Sequence, residues 1–247
     1  MVRRPSPSSA GPAGVTRSLI GRLGDLLYPA SCGLCLAPVA AGAGICSACR
    51  AELPRLAHAC GFCASPLPAA GTCPACVRRP PAFDRLHVPW AYAWPLDQLI
   101  LAWKHGGSVQ AGRVLADLAR EAAAALPEPA PTLVVPVPLH PRRLRERGFN
   151  QAGQLARVVA ATLAVPLESR GVQRVRATAS QQALGRVERR RNLRGAFAVT
   201  AGARVFSGAR VLLVDDVVTT GTTLSTLADV LRAAGAERVD GLALARA

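Results

Sequence analysis

The sequence predicts an α/β protein in which a parallel sheet with flanking helices follows a small cysteine-rich module. From residue 80 onward, apolar strand-like segments alternate with segments of helical periodicity, and strands separated by helices pair in parallel. Before residue 80, four C-x-x-C pairs lie in a segment with too few apolar side chains for a core of its own. We therefore expect a flexible leader over residues 1–18, the cysteine module over 19–79 and the α/β domain over 80–247.

The elements of the α/β domain are predicted from periodicity and from the residues that end each segment. Pro95 closes the first strand, and Gly106-Gly107 separates the first two helices. A proline-rich stretch over 127–131 precedes the second strand, and Gly235 ends the last helix. The predicted strands are 86–93, 133–137, 211–214 and 239–245. The predicted helices are 96–104, 109–126, 149–163, 186–194 (a charged helix or turn) and 222–234.

The composition excludes several classes of protein. Half of the 247 residues are hydrophobic, which rules out a wholly disordered chain. No apolar run is long enough for a membrane span, and residues 1–18 lack the apolar segment of a secretory signal, so we expect a cytoplasmic protein. The only lysine, Lys104, is followed by His105, which excludes the Gly-Lys-Ser/Thr of a P-loop.

The charge is strongly positive and unevenly distributed. The formal net charge is +15, and between Arg142 and Arg194 there are 13 arginines against three acidic residues. A region this basic needs an anionic partner or extensive hydration and counterions.

The eight cysteines are regularly spaced and predict a metal-binding module. Two C-x-x-C pairs complete one tetrahedral zinc site, so eight ligands predict two structural zinc ions. Disulfides and an iron–sulfur cluster fit less well, because no secretory signal is present and the spacing is ribbon-like. The spacing leaves open whether the pairs combine sequentially or in a cross-braced manner. The predicted ligands are Cys32, Cys35, Cys46, Cys49, Cys60, Cys63, Cys73 and Cys76.

The third predicted strand runs into Asp215 and Asp216, then into a threonine-rich loop and a helix. In open parallel sheets, ligands bind beyond the carboxyl ends of the strands. Backbone N–H groups and hydroxyls at a helix N-terminus suit a phosphate, and Gly221 lets the backbone approach it. The two acids would repel that phosphate and suit neutral hydroxyls or a group bound to Mg²⁺. The predicted phosphate-binding residues are Thr219, Thr220, Gly221, Thr222 and Thr223.

This window resembles the phosphoribosyl pyrophosphate (PRPP) motif of the type I phosphoribosyltransferases. The resemblance implies their parallel-sheet fold with flanking helices, and binding of PRPP or a ribose 5-phosphate ligand with Mg²⁺. It also implies that Asp215 and Asp216 are catalytic acids that contact the ribose hydroxyls, and that residues 219–223 hold the 5-phosphate.

A basic loop after the second predicted strand suits the pyrophosphate of such a ligand, because arginines and backbone amides bind phosphate groups well. Lys104 is a further candidate, acting as a point charge. The arginines of this loop are Arg142, Arg143, Arg145 and Arg147.

Four features together resemble the ComF family over about residues 25–247. They are the segment Pro136–Gln151, the motif Lys104-His105-Gly106, the stretch Ser180–Phe197 and the N-terminal double zinc ribbon. The resemblance implies a competence-associated protein that handles incoming single-stranded DNA at the cytoplasmic face, with the competence machinery as a partner.

Two functions remain open from the sequence. In the first, the chain binds PRPP or ribose 5-phosphate and handles single-stranded DNA during natural transformation. In the second, it is an active phosphoribosyltransferase that uses PRPP and Mg²⁺ with an unknown acceptor. We expect the aromatic residues to lie mostly in the core, so that DNA binding would show weak sequence preference. Those residues include Trp90, Tyr92, Trp94, Trp103 and Phe149.

Overall fold

The structure is a computed structural model that describes residues 30–40, 42–176, 195–200 and 203–247. The predicted leader, the predicted helix 186–194 and most of the Ser180–Phe197 motif lie outside the described residues.

The described elements are seven strands, seven α-helices and one 3₁₀ turn at Ala203–Phe206. The strands are β1 (Leu86–His87), β2 (Trp90–Ala91), β3 (Leu133–Pro136), β4 (Val172–Arg174), β5 (Phe197–Val199), β6 (Arg210–Val218) and β7 (Arg238–Arg246). The helices are α1 (Ser47–Ala51), α2 (Pro74–Arg78), α3 (Leu96–Gly106), α4 (Val109–Ala124), α5 (Pro141–Arg147), α6 (Gln151–Leu163) and α7 (Thr222–Ala233).

The main sheet is parallel. Strands β1, β7, β6 and β3 lie side by side in that order, and β2 also pairs with β7. Strands β4 and β5 form a separate antiparallel pair. The parallel sheet with its flanking helices confirms the predicted fold class.

The core lies on both faces of this sheet. Because side chains alternate along a strand, Val211 and Leu213 of β6 point to one face while Leu212 and Val214 point to the other. Helix α7 covers the first face, and helices α3, α4 and α6 cover the second. Full burial of each such leucine contributes about 1.5–3 kcal/mol to folding.

The cysteine module packs against both faces. Its first two C-x-x-C pairs lie on the side of α3, α4 and α6, and its last two lie on the side of α7. The segment between them runs along β2, where the Ala91 N–H donates to the Pro54 carbonyl at 2.7 Å. The Leu56 N–H donates to the Pro89 carbonyl at 3.0 Å. The module is therefore joined to the sheet by backbone hydrogen bonds as well as by core contacts.

The segment expected to be a basic loop contains a helix, α5. Pro141 occupies its first turn, where the missing N–H costs nothing, and the His140 Nδ1 accepts the Arg142 N–H at 3.2 Å. Gly148 ends the helix with a φ of 77°, a left-handed conformation that suits glycine. Local capping residues therefore determine a helix too short to show clear periodicity.

Two further expectations differ from the structure. The predicted strand 86–93 is divided into β1 and β2, and Pro89 between them has no N–H to donate to a neighbouring strand. Trp94 is not a core residue, because 73% of its surface is exposed. Trp90 and Trp103 are buried, as expected. Within the described ranges, none of the helices has the length and apolar character needed to cross a membrane.

Candidate functional site

A cleft of about 350 Å³ opens at the carboxyl edge of the parallel sheet. The end of β6 and the loop that leads into α7 form one part of it, and α3 with the α5–α6 region forms the rest. The structure therefore brings the acidic pair, the threonine loop and part of the basic segment to one place. The predicted site residues that line it are Lys104, Arg143, Arg147, Asp215, Asp216, Thr219, Thr220, Gly221, Thr222 and Thr223.

The acidic pair lies within β6. This strand, predicted to end at Val214, continues to Val218 in register with β7. Adjacent residues of a strand alternate between its two faces, yet the carboxyl groups of Asp215 and Asp216 stay close enough to interact with each other. Asp216 meets α3, where the Lys104 Nζ lies 2.8 Å from its Oδ2. Asp215 points to the other face, toward the positive charge of Arg174.

The surroundings of Asp215 shift its acidity. Burial raises the pKa of Asp215 to about 7, and the charge of Asp216 adds to the shift. Lys104 opposes it, as does the Asp216 N–H, which donates to Asp215 Oδ1 at 2.9 Å. At neutral pH, Asp215 is therefore divided between its two protonation states, and a bound cation would favour the carboxylate.

The threonine loop forms the N-terminus of α7. Gly221 caps the helix with a φ of 72°, a left-handed conformation that glycine adopts without strain. The Thr220 and Thr222 hydroxyls lie 2.7 Å apart, so the two side chains lie on the same side of the loop. A helix N-terminus of this kind presents free N–H groups and a partial positive charge.

The basic residues divide between the cleft and the outer surface. Arg143 and Arg147 are four positions apart on α5, which places them on one face of the helix, and both line the cleft. Arg142 is exposed and pairs with Glu146, its Nε lying 3.0 Å from Oε1. Arg145 is also exposed and is not among the described residues that line the cleft.

Arg174 of β4 also lines the cleft, although it is not among the site residues predicted from the sequence. Its guanidinium lies 5.7 Å from the centroid of the Phe197 ring. Burial lowers the pKa of Arg174, the charge of Arg143 lowers it further, and Asp215 opposes the shift. The three residues of β4 are too few to show a periodic pattern in the sequence, so the burial of Val172 and Arg174 becomes visible only in the structure.

Two amide side chains lie at the start of α6 and complete this side of the cleft. The Asn150 Nδ2 donates to the Val137 carbonyl at 3.1 Å, which ties α6 to the end of β3. The Gln151 Oε1 accepts from the Arg147 Nη1 at 3.4 Å. These contacts hold Arg147 and the β3 end in a fixed relation to the cleft.

The cysteines form two separate groups. We name them the first cluster (Cys32, Cys35, Cys46 and Cys49) and the second cluster (Cys60, Cys63, Cys73 and Cys76). In each cluster, all four sulfur atoms lie within 4.8 Å of one another. The pairs therefore combine sequentially, which settles the alternative that the spacing left open. Four thiol ligands at this separation fit a tetrahedral zinc site, so the two clusters fit two structural zinc ions.

Backbone contacts in each cluster favour the thiolate form that binds metal. Although burial opposes the shift, N–H donors lower the pKa of Cys32 and Cys60 to about 6. The Cys73 N–H, for example, lies 3.3 Å from the Cys60 Sγ. Burial and the neighbouring thiols raise the pKa of Cys49 and Cys76. A bound zinc ion would offset this repulsion and deprotonate all four thiols.

Comparison with known families identifies both parts of the chain. Residues 23–77 match the double zinc ribbon domain, and residues 144–246 match the phosphoribosyl transferase domain. Among solved structures, the glutamine PRPP amidotransferase from B. subtilis aligns with 52% of this chain and 25% of its own, at 22% identity and a TM-score of 0.36. That alignment is too distant to bear on function.

Curated relatives match nearly the whole chain. Competence protein F of Haemophilus influenzae is 35% identical over 83% of this chain and 91% of the relative. The DNA utilization protein YhgH of Escherichia coli K12 is 35% identical over 90% of this chain and 99% of the relative. YhgH of Salmonella typhi is similar to the same extent. With this identity over almost the full length of both chains, the protein belongs to the ComF family, in which a double zinc ribbon precedes a phosphoribosyltransferase-like domain.

Proposed function

We propose that the chain binds PRPP, or another ligand with a ribose 5-phosphate group, in the cleft, and that it has a competence-associated role in DNA utilization. One observation carries the ligand proposal: the acidic pair and the threonine loop lie side by side at the carboxyl edge of the sheet. A phosphate suits the loop and a diol suits the acids, so a ribose 5-phosphate satisfies both.

The 5-phosphate is assigned to residues 219–223 at the start of α7. The N–H groups of this helix terminus and the hydroxyls of Thr220 and Thr222 supply donors for phosphate oxygens. Gly221 adopts a left-handed φ of 72°, which lets the loop turn directly into the helix N-terminus.

The ribose hydroxyls are assigned to Asp215 and Asp216. Carboxylate oxygens are also the ligands that Mg²⁺ prefers, so the pair fits a Mg²⁺ ion that arrives with PRPP. When bound, Mg²⁺ would neutralise part of the pyrophosphate charge. The Lys104 Nζ lies 2.8 Å from the Asp216 Oδ2 and balances part of the negative charge of the pair.

The pyrophosphate is assigned to the cationic side of the cleft. Arg143, Arg147 and Arg174 line it, and Lys104 adds a fourth positive charge. Guanidinium groups bind phosphate oxygens in a bidentate manner, which gives affinity and orientation together. Arg142 and Arg145 were also predicted to bind the pyrophosphate, but both are exposed and better suited to a partner on the outer surface.

The DNA-related role rests on the relatives and on charge. The relatives are named for competence and for DNA utilization. The formal net charge of +15 and the exposed arginines of α5 suit the phosphate backbone of single-stranded DNA. Exposed Trp94 offers a ring on which a base can stack. We place this activity in the cytoplasm, with the competence machinery as a partner.

An active phosphoribosyltransferase is the second candidate, favoured by the pKa of Asp215 near 7. In this reaction the bond from ribose C1 to pyrophosphate oxygen breaks, and a nucleophilic atom of the acceptor bonds to C1. Asp215 in its carboxylate form can take the proton that the acceptor loses. Cationic side chains around the leaving pyrophosphate would stabilise its developing charge.

Calorimetry tests the ligand proposal. Zinc-loaded protein is titrated with PRPP and Mg²⁺, beside a variant with Asp215→Asn and Asp216→Asn. We expect the wild type to bind and the variant to lose at least about ten-fold in affinity, since each lost charged contact is worth roughly 1.5–3 kcal/mol. Arg142→Ala is the matched control and should bind as the wild type does.

Two other outcomes would change the assignment. Equal PRPP affinity in the wild type and the double variant would overturn the roles of the two acids. Release of pyrophosphate only when a particular acceptor is added would establish the enzyme as the better description.

A further inference from the structure

We infer that the second cluster fixes the position of the threonine loop (Thr219–Thr223), with Ser65 and Arg246 as positioning residues between them. The first cluster has no such function. The inference rests on the proposed function only in taking this loop as the phosphate site. It makes the second zinc site part of the ligand-binding machinery as well as a stabiliser of its own module.

A chain of polar contacts joins the second cluster to the loop. The Cys63 Sγ lies 3.2 Å from the Ser65 Oγ, and the Arg246 Nη2 donates to the same Oγ at 2.7 Å. The other terminal nitrogen of Arg246 donates to the Val218 carbonyl at 3.1 Å, and Val218 directly precedes the loop. Hence one guanidinium holds the cysteine module and the last residue of β6 together.

Burial makes this connection strong. Arg246 is only 7% exposed, so its contacts compete little with water. Four thiolates around one Zn²⁺ carry a net charge of about −2, which stabilises a buried guanidinium nearby. Loss of zinc from the second cluster would therefore weaken the electrostatic support of Arg246 and, through it, of Val218.

A second, apolar connection reaches the same loop. Phe83 shares a core with the four cysteines of the second cluster and is 2% exposed. A Cβ atom placed on Gly221 would lie 3.5 Å from the ring of Phe83, so the ring packs against the loop backbone. The Ala82 N–H donates to the Ser225 Oγ at 3.0 Å in the first turn of α7. The segment that follows α2 therefore packs against the threonine loop and the first turn of α7.

The first cluster is attached elsewhere. Its module rests on α4, where a Cβ atom on Gly44 would lie 2.6 Å from the Val114 nitrogen and where the Gly44 N–H donates to Asp117. Among the described residues that line the cleft, none belongs to α4. The first zinc site thus provides an internal control for the second.

The two sites should also differ in how readily they lose metal. All four cysteines of the second cluster are buried, whereas Cys35 of the first is exposed and two of its partners are half-buried. A chelator should therefore remove zinc from the first cluster before the second.

The experiment is a stepwise chelation of the full, zinc-loaded chain. Zinc release is followed with a chromogenic chelator, amide exchange of residues 216–224 by mass spectrometry, and binding of ribose 5-phosphate by calorimetry. We expect loop exchange and ligand affinity to stay constant while the first zinc leaves. Both should change as the second leaves, with affinity falling by at least about ten-fold. A change in loop exchange with the first zinc would overturn the inference.

Point variants test the same connection without removing metal. Ser65→Ala should raise loop exchange and weaken ribose 5-phosphate binding by about ten-fold while two zinc ions remain bound. Ser65→Thr, which keeps the hydroxyl, should restore both. Ser31→Ala is the matched control, because the Ser31 Oγ accepts from Gln110 Nε2 at 3.2 Å on the side of α4.

Loop exchange and ligand binding separate the two proposals. If the wild type does not bind ribose 5-phosphate but Ser65→Ala still frees the loop, the proposed ligand is wrong and the positioning inference stands. If the wild type binds and Ser65→Ala leaves both exchange and affinity unchanged, the positioning inference is overturned.

Discussion

The ammonium group of Lys104 lies 2.8 Å from the carboxylate of Asp216 and joins α3 to β6 at the edge of the cleft. Both side chains are largely shielded from water, so the contact is only weakly screened. It offsets part of the repulsion between two adjacent carboxylates. An incoming ligand therefore meets an acidic pair whose charge is already partly balanced.

Replacing Lys104 with methionine should shift the pH dependence of ligand binding. Lys104 lowers the pKa of Asp215, so its removal should raise that pKa above the present value of about 7. Binding of PRPP with Mg²⁺, measured by calorimetry between pH 6 and pH 9, should then require a higher pH. Lys104→Arg keeps the charge and should leave the midpoint nearly in place. An unshifted profile in Lys104→Met would contradict the electrostatic coupling.

Replacing Asp215 with asparagine should stabilise the protein at neutral and alkaline pH. The folded state raises the pKa of Asp215 from 3.8 to about 7, so it holds the proton more tightly than the unfolded chain does. The free energy of unfolding of the wild type therefore falls as the pH rises from about 4 to 7. Above pH 7, the contribution of Asp215 no longer changes. At about 1.4 kcal/mol per pKa unit, the advantage of Asp215→Asn should reach a few kcal/mol at most. Urea unfolding at pH 5 and pH 8 measures it.

The contrasting variant is Asp216→Asn. It removes the partner of a shielded lysine, so it should destabilise the protein at pH 8. If both variants changed stability in the same direction at pH 8, the different environments assigned to the two carboxylates would be wrong.

Variants of the basic helix α5 should distinguish single-stranded DNA binding from PRPP binding. Arg142→Ala and Arg145→Ala each remove an exposed charge. In a plot of the logarithm of the single-stranded DNA binding constant against the logarithm of the salt concentration, each variant should reduce the steepness of the slope by about one. PRPP affinity should be unaffected in both. Arg143→Ala removes a charge from the cleft and should weaken PRPP binding by at least about ten-fold. Fluorescence anisotropy at several salt concentrations and calorimetry provide the two measurements.

Gly44→Ala should destabilise the first half of the cysteine module. A Cβ atom at this position would lie 2.6 Å from the Val114 nitrogen, a backbone atom that cannot easily move. The cost should be about 1–3 kcal/mol, read as a lower unfolding temperature and weaker retention of one zinc ion. Gly61→Ala is the control, since its nearest atom would be 4.0 Å away. Equal losses in the two variants would show that α4 does not hold the module.

Local sequence predicted the parts of the fold that have clear periodicity. The long helices and the strands β6 and β7 bury regular apolar faces, so their approximate positions followed from hydrophobic spacing. Helix α5 has seven residues, five of them charged, and no buried residue, so only its caps mark it. Strands β4 and β5 have three residues each and pair across a long separation in sequence, which no local pattern reveals.

The residues of the candidate site that are close together in the sequence could be predicted, whereas those far apart could not. Asp215, Asp216 and residues 219–223 are contiguous, so one window of sequence was enough to predict that they act together. Arg174 reaches the cleft from β4, and the roles of Ser65 and Arg246 depend on contacts between residues far apart in the chain. Contacts of this kind are determined by the packing of the module against the sheet, and periodicity carries no information about them.

The hydrogen bonds that Pro54 and Leu56 make along β2 bear on whether the α/β domain can exist alone. An uncovered strand at the border of a sheet is a template on which a second chain can add, and such borders promote aggregation. The cysteine module covers this border and also shields apolar surface on both sides of the sheet. A truncated chain beginning at residue 80 would expose the β2 border and the apolar surface on each side of the sheet. By covering these surfaces, the metal-binding module limits self-association of the α/β domain.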